Sequence, residues 1–174
     1  MTDWVALLRG VNVGGITIRS AELAELFRSL GFSSVRTVLA SGNVAFGADG
    51  ERGALKARIE AALSERFSYD AWVILVTRAE VSAAIADFPF DAEVEERQPW
   101  VIFCADAECH RDLMAAASTL DPVVDPVAAG AQVVYWNPVK GTTVSSPFAK
   151  VLARSRFTAV TTNRNLRTLR KIVG

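Results

Sequence analysis

The sequence predicts an α+β protein made of two ferredoxin-like halves in tandem, each a βαββαβ unit with an appended helix. Two observations predict this class. The same order of strand and helix patterns occurs twice along the 174 residues, and several strands are apolar on both faces. With 51% hydrophobic and 22% charged residues, the composition is that of a globular chain and not of a disordered one.

The first half is expected over residues 1–88. Its first strand is the apolar run Trp4–Arg9, and a helix from Ser20 to Leu30 follows, with Ser20 as N-cap and Gly31 as the stop signal. The remaining predicted elements of this half are strand Val35–Leu39, a tight turn at Ser41-Gly42, strand Asn43–Phe46, helix Glu51–Phe67, strand Ala71–Val76 and helix Glu80–Asp87.

Residues 89–98 form an acidic, proline-bearing connector, and the second half is expected over residues 99–174. There the apolar run Trp100–Cys104 repeats the first strand, and Pro147 is well placed in the first turn of a helix. The other predicted elements are helix Glu108–Leu120, strand Val123–Ala128, a turn at Gly130, strand Gln132–Trp136, helix Pro147–Ser155, strand Thr158–Thr161 and helix Asn165–Val173.

Three strands are continuous apolar runs, which are typical of strands covered on both faces: Trp4–Leu8, Val73–Val76 and Trp100–Phe103. We therefore expect neither sheet to have an open face. Residues 43–46 also lack the aromatic stacking motif of RNA-recognition modules. Both observations argue against base stacking on the sheet.

The net charge of zero conceals a strong asymmetry. Residues 1–125 hold all 19 acidic residues and 11 of the 19 Lys and Arg, a net −8, while residues 126–174 carry the other 8 basic residues and no acid. Arg164-Asn165 is expected to open the last helix, and its basic side chains, Arg164, Arg167, Arg170 and Lys171, fall on a face away from the apolar one. This segment is expected either to contact a nucleotide or nucleic acid through phosphates or to pair with the acidic part of the chain. Its candidate ligand-binding residues are Arg164, Asn165 and Arg167, with further charge from Lys150, Arg154 and Arg156.

Several classes of protein are not supported. No apolar run approaches the roughly 20 residues of a membrane helix, and no signal-peptide pattern is present, so we expect a cytoplasmic protein without a membrane partner. Cys104 and Cys109 are expected to be free thiols, and no spacing indicates a metal site. The single histidine, His110, has no evident catalytic partner. The sequence does not identify a cofactor and leaves the oligomeric state open.

The candidate site lies where two loops should meet. In a βαββαβ unit the second strand is parallel to the first, so the hairpin after it lies at the edge where the first strand ends. Backbone N–H groups, amides, a hydroxyl and one guanidinium then converge near the start of the first helix, which suits a phosphate, carboxylate or carbonyl oxygen. The candidate residues are Arg9, Gly10, Asn12, Gly14, Gly15, Ser41, Gly42 and Asn43.

Three functions remain open at this point. The first is a binding module for an anionic ligand: a nucleotide, phosphate or nucleic-acid backbone. The second is an enzyme that uses Arg9, Ser41 and Asn43 as an oxyanion or phosphate cradle, although no general base is evident. The third is an interaction protein in which acidic and basic parts of different subunits pair. The glycine loop does not match Gly-x-Gly-x-x-Gly, so a dinucleotide fold is not supported.

Four motifs together resemble the bacterial domain-of-unknown-function family sixteen-ninety-seven: Leu-Leu-Arg-Gly-Val-Asn-Val-Gly-Gly at 7–15, Leu-Gly-Phe at 30–32, Ser-Gly-Asn-Val at 41–44 and Arg-Asn-x-x-Thr at 164–168. The resemblance spans essentially the whole chain and implies two ferredoxin-like halves, with no assured activity. Ala40 and Leu166 stand where the family commonly has glutamine and tryptophan. The resemblance therefore implies no polar or stacking role at those two positions.

Overall fold

The structure, a computed structural model, describes residues 1–12, 16–40 and 42–174. It contains two compact units, Met1–Ser82 with Lys171–Gly174, and Ala83–Arg170. The chain folds into two four-stranded antiparallel sheets with helices, an α+β arrangement. In the part of the chain that the structure describes, no helix is both long enough and apolar enough to cross a membrane.

The first sheet is built from the N-terminal elements and has the strand order β2-β3-β1-β4. β3 pairs antiparallel with both β1 and β2, so β1 and β2 run in the same direction. The elements are β1 (Thr2–Leu8), α1 (Ser20–Ser29), β2 (Ser33–Thr37), β3 (Asn43–Ala48), α2 (Arg52–Phe67) and β4 (Val73–Thr77), followed by α3 (Arg78–Ala86).

The second sheet has the order β6-β7-β5-β8, the same sequence of neighbours as in the first sheet. Each sheet therefore has its first and third strands in the middle. The elements are β5 (Trp100–Cys104), α4 (Ala107–Ala117), β6 (Val127–Ala129), β7 (Val133–Trp136), α5 (Pro147–Leu152), α6 (Ser155–Thr158), β8 (Thr161–Asn165) and α7 (Leu166–Val173).

Burial of β1 and β4 confirms the interpretation of their apolar runs. Every residue from Trp4 to Leu8 is at most 6% exposed, and residues 73–76 are at most 8% exposed. In the first unit, α1 and α2 contribute Phe27 and Ile59 to a core that also contains alternate residues of β1 and β4. Phe27, Phe32 and Phe46 form an aromatic cluster in that core, with the Phe32 and Phe46 rings stacked at 4.6 Å between centroids.

Helix α1 begins at the predicted residue but not with the predicted cap. Ser20 is its first residue, and Arg19 occupies the N-cap position without a side-chain capping hydrogen bond. The helix ends as predicted, because Gly31 adopts φ +79°, a conformation that only glycine adopts at no steric cost. The N-terminal N–H groups of α1 therefore lack a side-chain cap.

In the second unit, one buried carboxylate explains why β6 is shorter than the predicted strand Val123–Ala128. Asp125 is 2% exposed and accepts hydrogen bonds from Trp136 Nε1 and the Phe148 N–H, each at 2.9 Å. Residues before it form a turn in which Asp121 Oδ1 accepts from the Val123 N–H. The chain therefore becomes a strand only at Val127.

The C-terminal strand and helices are displaced from their predicted positions. Residues 155–158 form the short helix α6, and β8 covers Thr161–Asn165 where the sequence predicted Thr158–Thr161. The cause is pairing with β5, which places Thr161 opposite Cys104 and Asn165 opposite Trp100. This register places Arg164 on a strand, whereas the sequence predicted that it opens the last helix.

A capping box begins α3. The Thr77 N–H donates to Glu80 Oε2 at 2.7 Å, and the Glu80 N–H donates to Thr77 Oγ1 at 3.1 Å. Arg52 also donates to both carboxylate oxygens of Glu80, at 2.8 and 3.0 Å. Burial alone raises the pKa of the Glu80 carboxyl, but the hydrogen bonds from Arg52 and Thr77 outweigh it and hold the pKa below its usual value.

Replacing Glu80 with glutamine tests this network through the pH dependence of stability. Because the folded-state pKa is lowered, the charged carboxylate stabilises the fold above the unfolded-state pKa, and this contribution is lost as pH falls through the folded-state value. We expect E80Q to be less stable than wild type at pH 7 and the gap to close below about pH 4.5. Urea unfolding between pH 7 and 3 measures it; a gap that is independent of pH would contradict the assignment.

Candidate functional site

The end of β1 and the loop before β3 meet at one edge of the first sheet. The Leu8 N–H donates to the Gly42 carbonyl at 2.8 Å. Gly42 has φ +73°, and a Cβ there would lie 2.9 Å from Leu8 Cβ, so the close approach requires glycine. We call this region the Arg9 edge, and it consists of residues 8–12, 38–40 and 42 together with Trp72.

Asn12 links three segments at the Arg9 edge. Its Oδ1 accepts from the Ile18 N–H at 3.0 Å, and its Nδ2 donates to the Ile18 carbonyl at 3.3 Å and to the Ala40 carbonyl. Ile18 lies just before α1, so this side chain joins the loop after β1, the entry to the helix and the loop before β3. The Asn12 amide is thus occupied within the protein and positions the backbone.

Asn43 also has an internal role. It is 1% exposed, and its Nδ2 donates to the Val38 carbonyl at 2.9 Å, while the Val38 N–H donates to the Asn43 carbonyl at 2.9 Å. The asparagine side chain therefore helps to close the loop 38–43. We assign Asn43 to the scaffold of the Arg9 edge and not to its open surface.

Arg9 is the charged residue of this edge. Its backbone N–H donates to the Trp72 carbonyl at 3.2 Å, and its guanidinium lies 5.8 Å from the Trp72 ring centroid, a cation–π contact. The side chain is half-buried. Among the described residues, it has no carboxylate partner and donates no side-chain hydrogen bond.

Trp72 and Lys56 belong to the same cluster, and the sequence analysis missed both. Lys56 Nζ lies 5.0 Å from the Trp72 ring centroid, forms an ion pair with Glu60 and donates to the Val73 carbonyl at 2.6 Å. Glu60 therefore balances the charge of Lys56 and leaves Arg9 as the unbalanced cation. The signal for Trp72 was available, because β4 is antiparallel to β1 and begins where β1 ends.

Left-handed backbone conformations are concentrated at this edge. Gly10, Asn12, Leu39 and Gly42 have φ of 69°, 60°, 58° and 73°. Such values are uncommon outside glycine, and backbone strain is concentrated at functional sites. Leu39 is the notable case, since it is an apolar residue in this conformation with 48% of its surface exposed.

Three of the predicted candidates, Gly14, Gly15 and Ser41, lie outside the described residues. Gly10 is exposed and has open space around its Cα hydrogens, with no atom within 4 Å of the point where a Cβ would lie. The described members that the structure brings together are therefore Arg9, Gly10, Asn12, Gly42 and Asn43.

The C-terminal candidates belong to the second unit. Arg164 is 7% exposed, its Nη1 donates to Thr162 Oγ1 at 2.8 Å and to the Asn163 carbonyl at 2.9 Å, and burial lowers the pKa of its guanidinium to about 10. It remains a cation at neutral pH but does not lie on the exposed basic face predicted for it. Asn165 Oδ1 accepts from the Arg167 N–H at 2.9 Å at the start of α7, and Arg167 is exposed.

Two basic residues of this segment pair with acids of the second unit. Arg156 lies 3.4 Å from Asp112, and Arg170 lies 3.2 Å from Glu93. Both pairs are solvent-exposed and contribute little to stability. Among the residues that the structure describes, no cluster of three or more His, Cys, Asp or Glu is arranged to hold a metal ion.

Fold and site together define an α+β protein with two four-stranded antiparallel sheets and a strained loop edge that contains an arginine without a carboxylate partner among the described residues. The chain belongs to the DUF1697 family of proteins of unknown function, whose model matches residues 1–135. The match confirms the family that the sequence motifs indicated. The basic C-terminal candidates lie beyond the matched residues.

A solved structure shows the same fold. The conserved bacterial protein SP0830 from Streptococcus pneumoniae superposes with a TM-score of 0.84 at 21% identity, over 99% of this chain and 97% of that one. At this identity the likeness concerns the fold alone. No curated protein matches the chain.

Two glycine substitutions separate close packing from backbone strain at the Arg9 edge. Gly10 and Gly42 are both left-handed, but only Gly42 lacks room for a Cβ. We expect G10A to destabilise by about 1–2 kcal/mol from the left-handed conformation alone. G42A should cost about 1–3 kcal/mol more, because its methyl group overlaps Leu8. Denaturant unfolding measures both, and equal losses would contradict the close contact.

Proposed function

We propose that this protein is a binding module for a small anionic ligand, and that the anionic group binds at the Arg9 edge. The observation that carries the proposal is the state of Arg9: a half-buried guanidinium held against Trp72, with no carboxylate or side-chain hydrogen-bond partner among the described residues. A guanidinium presents a planar set of donors suited to two oxygens of a phosphate or carboxylate.

Other arginines of the first unit support this interpretation by contrast. Arg52 forms two hydrogen bonds with Glu80, and Arg36 Nη2 donates to the Ile172 carbonyl at 2.6 Å. Arg66 lies 3.7 Å from Glu22. A partly desolvated cation without such a partner is costly, and an anion at Arg9 would offset that cost.

The start of α1 adds to the electrostatic argument. Asn12 fixes Ile18, and the next residue, Arg19, is the N-cap of a ten-residue helix with no side-chain cap. The uncapped N–H groups and the positive end of the helix dipole favour a negative charge. Asn12 thus connects the segment after Arg9 to the entry of this helix.

As the ligand we favour a nucleotide over a bare phosphate or a nucleic-acid backbone. Exposed Leu39 offers an apolar contact beside the proposed anion site. The basic C-terminal segment supports a nucleic-acid partner less strongly, because Arg164 is buried and Arg156 and Arg170 have acidic neighbours. The enzymatic alternative loses support as well, since the Asn43 amide is engaged with Val38.

The proposal extends to organisation and location. The common strand order of the two sheets supports two ferredoxin-like halves, 1–88 and 99–174 with a connector at 89–98, that arose by internal duplication. The free thiols of Cys104 and Cys109 support a cytoplasmic protein.

Nucleotide binding by Arg9 variants tests the function. We expect wild type to bind a nucleoside triphosphate at low salt and R9A to bind at least tenfold more weakly, because one charge-assisted pair of hydrogen bonds is lost. Arginine presents two donors where lysine presents a point charge, so R9K should restore binding only in part. Isothermal titration at low and high salt, with inorganic phosphate and an oligonucleotide as comparison ligands, measures these effects.

Arg28→Ala is the matched control. Arg28 is exposed, lies in the last turn of α1, and its loss removes the same charge at the other end of that helix. R28A should bind as wild type does. Equal weakening of binding in R9A and R28A would mean that only the overall charge of the protein matters, and would contradict a site at Arg9. If wild type binds no anion at low salt, the proposal is refuted.

A further inference from the structure

β4 is an edge strand of the first sheet, yet it has the composition of a central strand. Among the residues that the structure describes, it pairs on one side only, with β1. Its sequence, Val-Ile-Leu-Val-Thr, contains no charge, proline or glycine, and four of its five residues are buried. The edge strand at the same place in the second sheet, β8, has the polar sequence Thr-Thr-Asn-Arg-Asn. An apolar edge strand readily pairs with a strand of another chain, so β4 needs protection that its own residues do not supply.

One face of α2 supplies this protection. Arg52, Lys56 and Glu60 follow one another at intervals of four residues and so lie on the same side of the helix. Lys56 Nζ donates to the Val73 carbonyl at 2.6 Å, and Glu60 Oε1 accepts from the Val73 N–H at 3.0 Å. Arg52 Nη1 donates to the Leu75 carbonyl at 3.3 Å. Three side chains of one helix thus bond backbone groups at alternate residues of β4.

These backbone groups point away from β1. In an antiparallel edge strand, alternate residues direct their N–H and C=O groups to the neighbouring strand, and the residues between them direct theirs outward. At the end of β4 the Thr77 N–H donates to Glu80 Oε2 at 2.7 Å. Side chains therefore engage Val73, Leu75 and Thr77, whose outward backbone groups we call the β4 edge.

The contacts occupy the positions that an added strand would need. Lys56 Nζ stands where the N–H of that strand would donate to the Val73 carbonyl, and Glu60 Oε1 stands where its carbonyl would accept. A strand pairs at a donor–acceptor distance of about 2.9 Å, which is the range of these side-chain contacts. A second strand and the α2 side chains therefore exclude each other.

We propose that the β4 edge is a self-association surface that Arg52, Lys56 and Glu60 keep occupied, and that the partner it fits once they are removed is β4 of a second copy of this chain. The alternation of the edge suits a twofold, antiparallel pair. With Leu75 opposite its own counterpart, Val73 of each copy lies opposite Thr77 of the other. The outward N–H and C=O groups then face each other across the axis. The apolar, β-branched composition of β4 favours such a pair.

The test compares the full chain with a triple variant, Arg52→Ala, Lys56→Ala and Glu60→Ala, which leaves the capping box of α3 in place. We expect the mean mass of the triple variant in sedimentation equilibrium to rise with concentration toward twice the wild-type value. Hydrogen exchange at the Val73 N–H locates the contact. In the triple variant it should be fast in dilute solution and at least tenfold slower at the highest concentration, because pairing replaces the lost Glu60 acceptor.

The matched control is a second triple variant, Arg58→Ala, Glu65→Ala and Arg66→Ala. It removes two cations and one glutamate from the same helix, but Arg58 donates to the Leu30 carbonyl and Arg66 lies 3.7 Å from Glu22, so these contacts are made with the α1 segment. The control should keep the wild-type mass at every concentration.

Three results would overturn the proposal: a test variant that keeps the wild-type mass, an equal rise in mass in the control, or association without protection of the Val73 N–H. Circular dichroism establishes that each variant is folded. If the triple variant does not fold, Lys56→Ala with Glu60→Ala replaces it. That variant keeps Arg52 on Leu75 but opens both groups of Val73, so the same rise in mass and the same protection are expected.

Discussion

The Arg9 edge depends on one side chain, the amide of Asn12. Its oxygen accepts from Ile18 and its nitrogen donates to Ile18 and Ala40, so it joins segments that lie 6 and 28 residues away in sequence. An asparagine suits this position for two reasons. It tolerates the left-handed φ of 60° better than most side chains do, and its amide offers both a donor and an acceptor. Backbone groups that a loop would otherwise leave unpaired are satisfied here.

The charge of the edge has a different origin. Arg9 is placed by strand pairing, since it follows β1 directly and its N–H donates to the carbonyl of Trp72, the residue before β4. The indole ring supports the guanidinium without neutralising it, whereas Glu60 neutralises Lys56 on the same ring. A fixed cation thus remains beside a backbone that is left-handed at Asn12 and Gly42. This combination is the physical basis for proposing an anion-binding module.

Sequence reasoning predicted the approach of the two loops but not the direction of their side chains. The approach follows from topology, because β1 and β2 are parallel and the hairpin after β2 lies at the edge where β1 ends. Whether an asparagine amide faces outward depends on which backbone groups need partners, and periodicity does not contain that information. Asn12 and Asn43 therefore have scaffold roles that the sequence did not reveal. Trp72, by contrast, was predictable from the antiparallel pairing of β4 with β1.

The C-terminal region shows the same limit for a strand. The polar run Thr161–Asn165 has none of the apolar residues that signal a buried strand, yet pairing with β5 makes it one and buries Arg164. Tertiary pairing overrides local propensity in such a segment. Because the sequence predicted a helix from Arg164 onward, it grouped this arginine with the exposed cations of that helix. Its buried guanidinium donates hydrogen bonds to the Thr162 hydroxyl and the Asn163 carbonyl.

Native-state hydrogen exchange at the Ile18 N–H tests the role of Asn12 most directly, with Asn12→Ala and Asn12→Gly compared with wild type. Both variants lose the acceptor at 3.0 Å, but only glycine keeps the left-handed backbone free of strain. If the amide links the segments, exchange at Ile18 should quicken at least tenfold in both variants, while the core N–H of Phe27 stays protected. Ile18 exchange that stays at the wild-type rate in Asn12→Gly would show that the backbone conformation, and not the side chain, maintains the Arg9 edge.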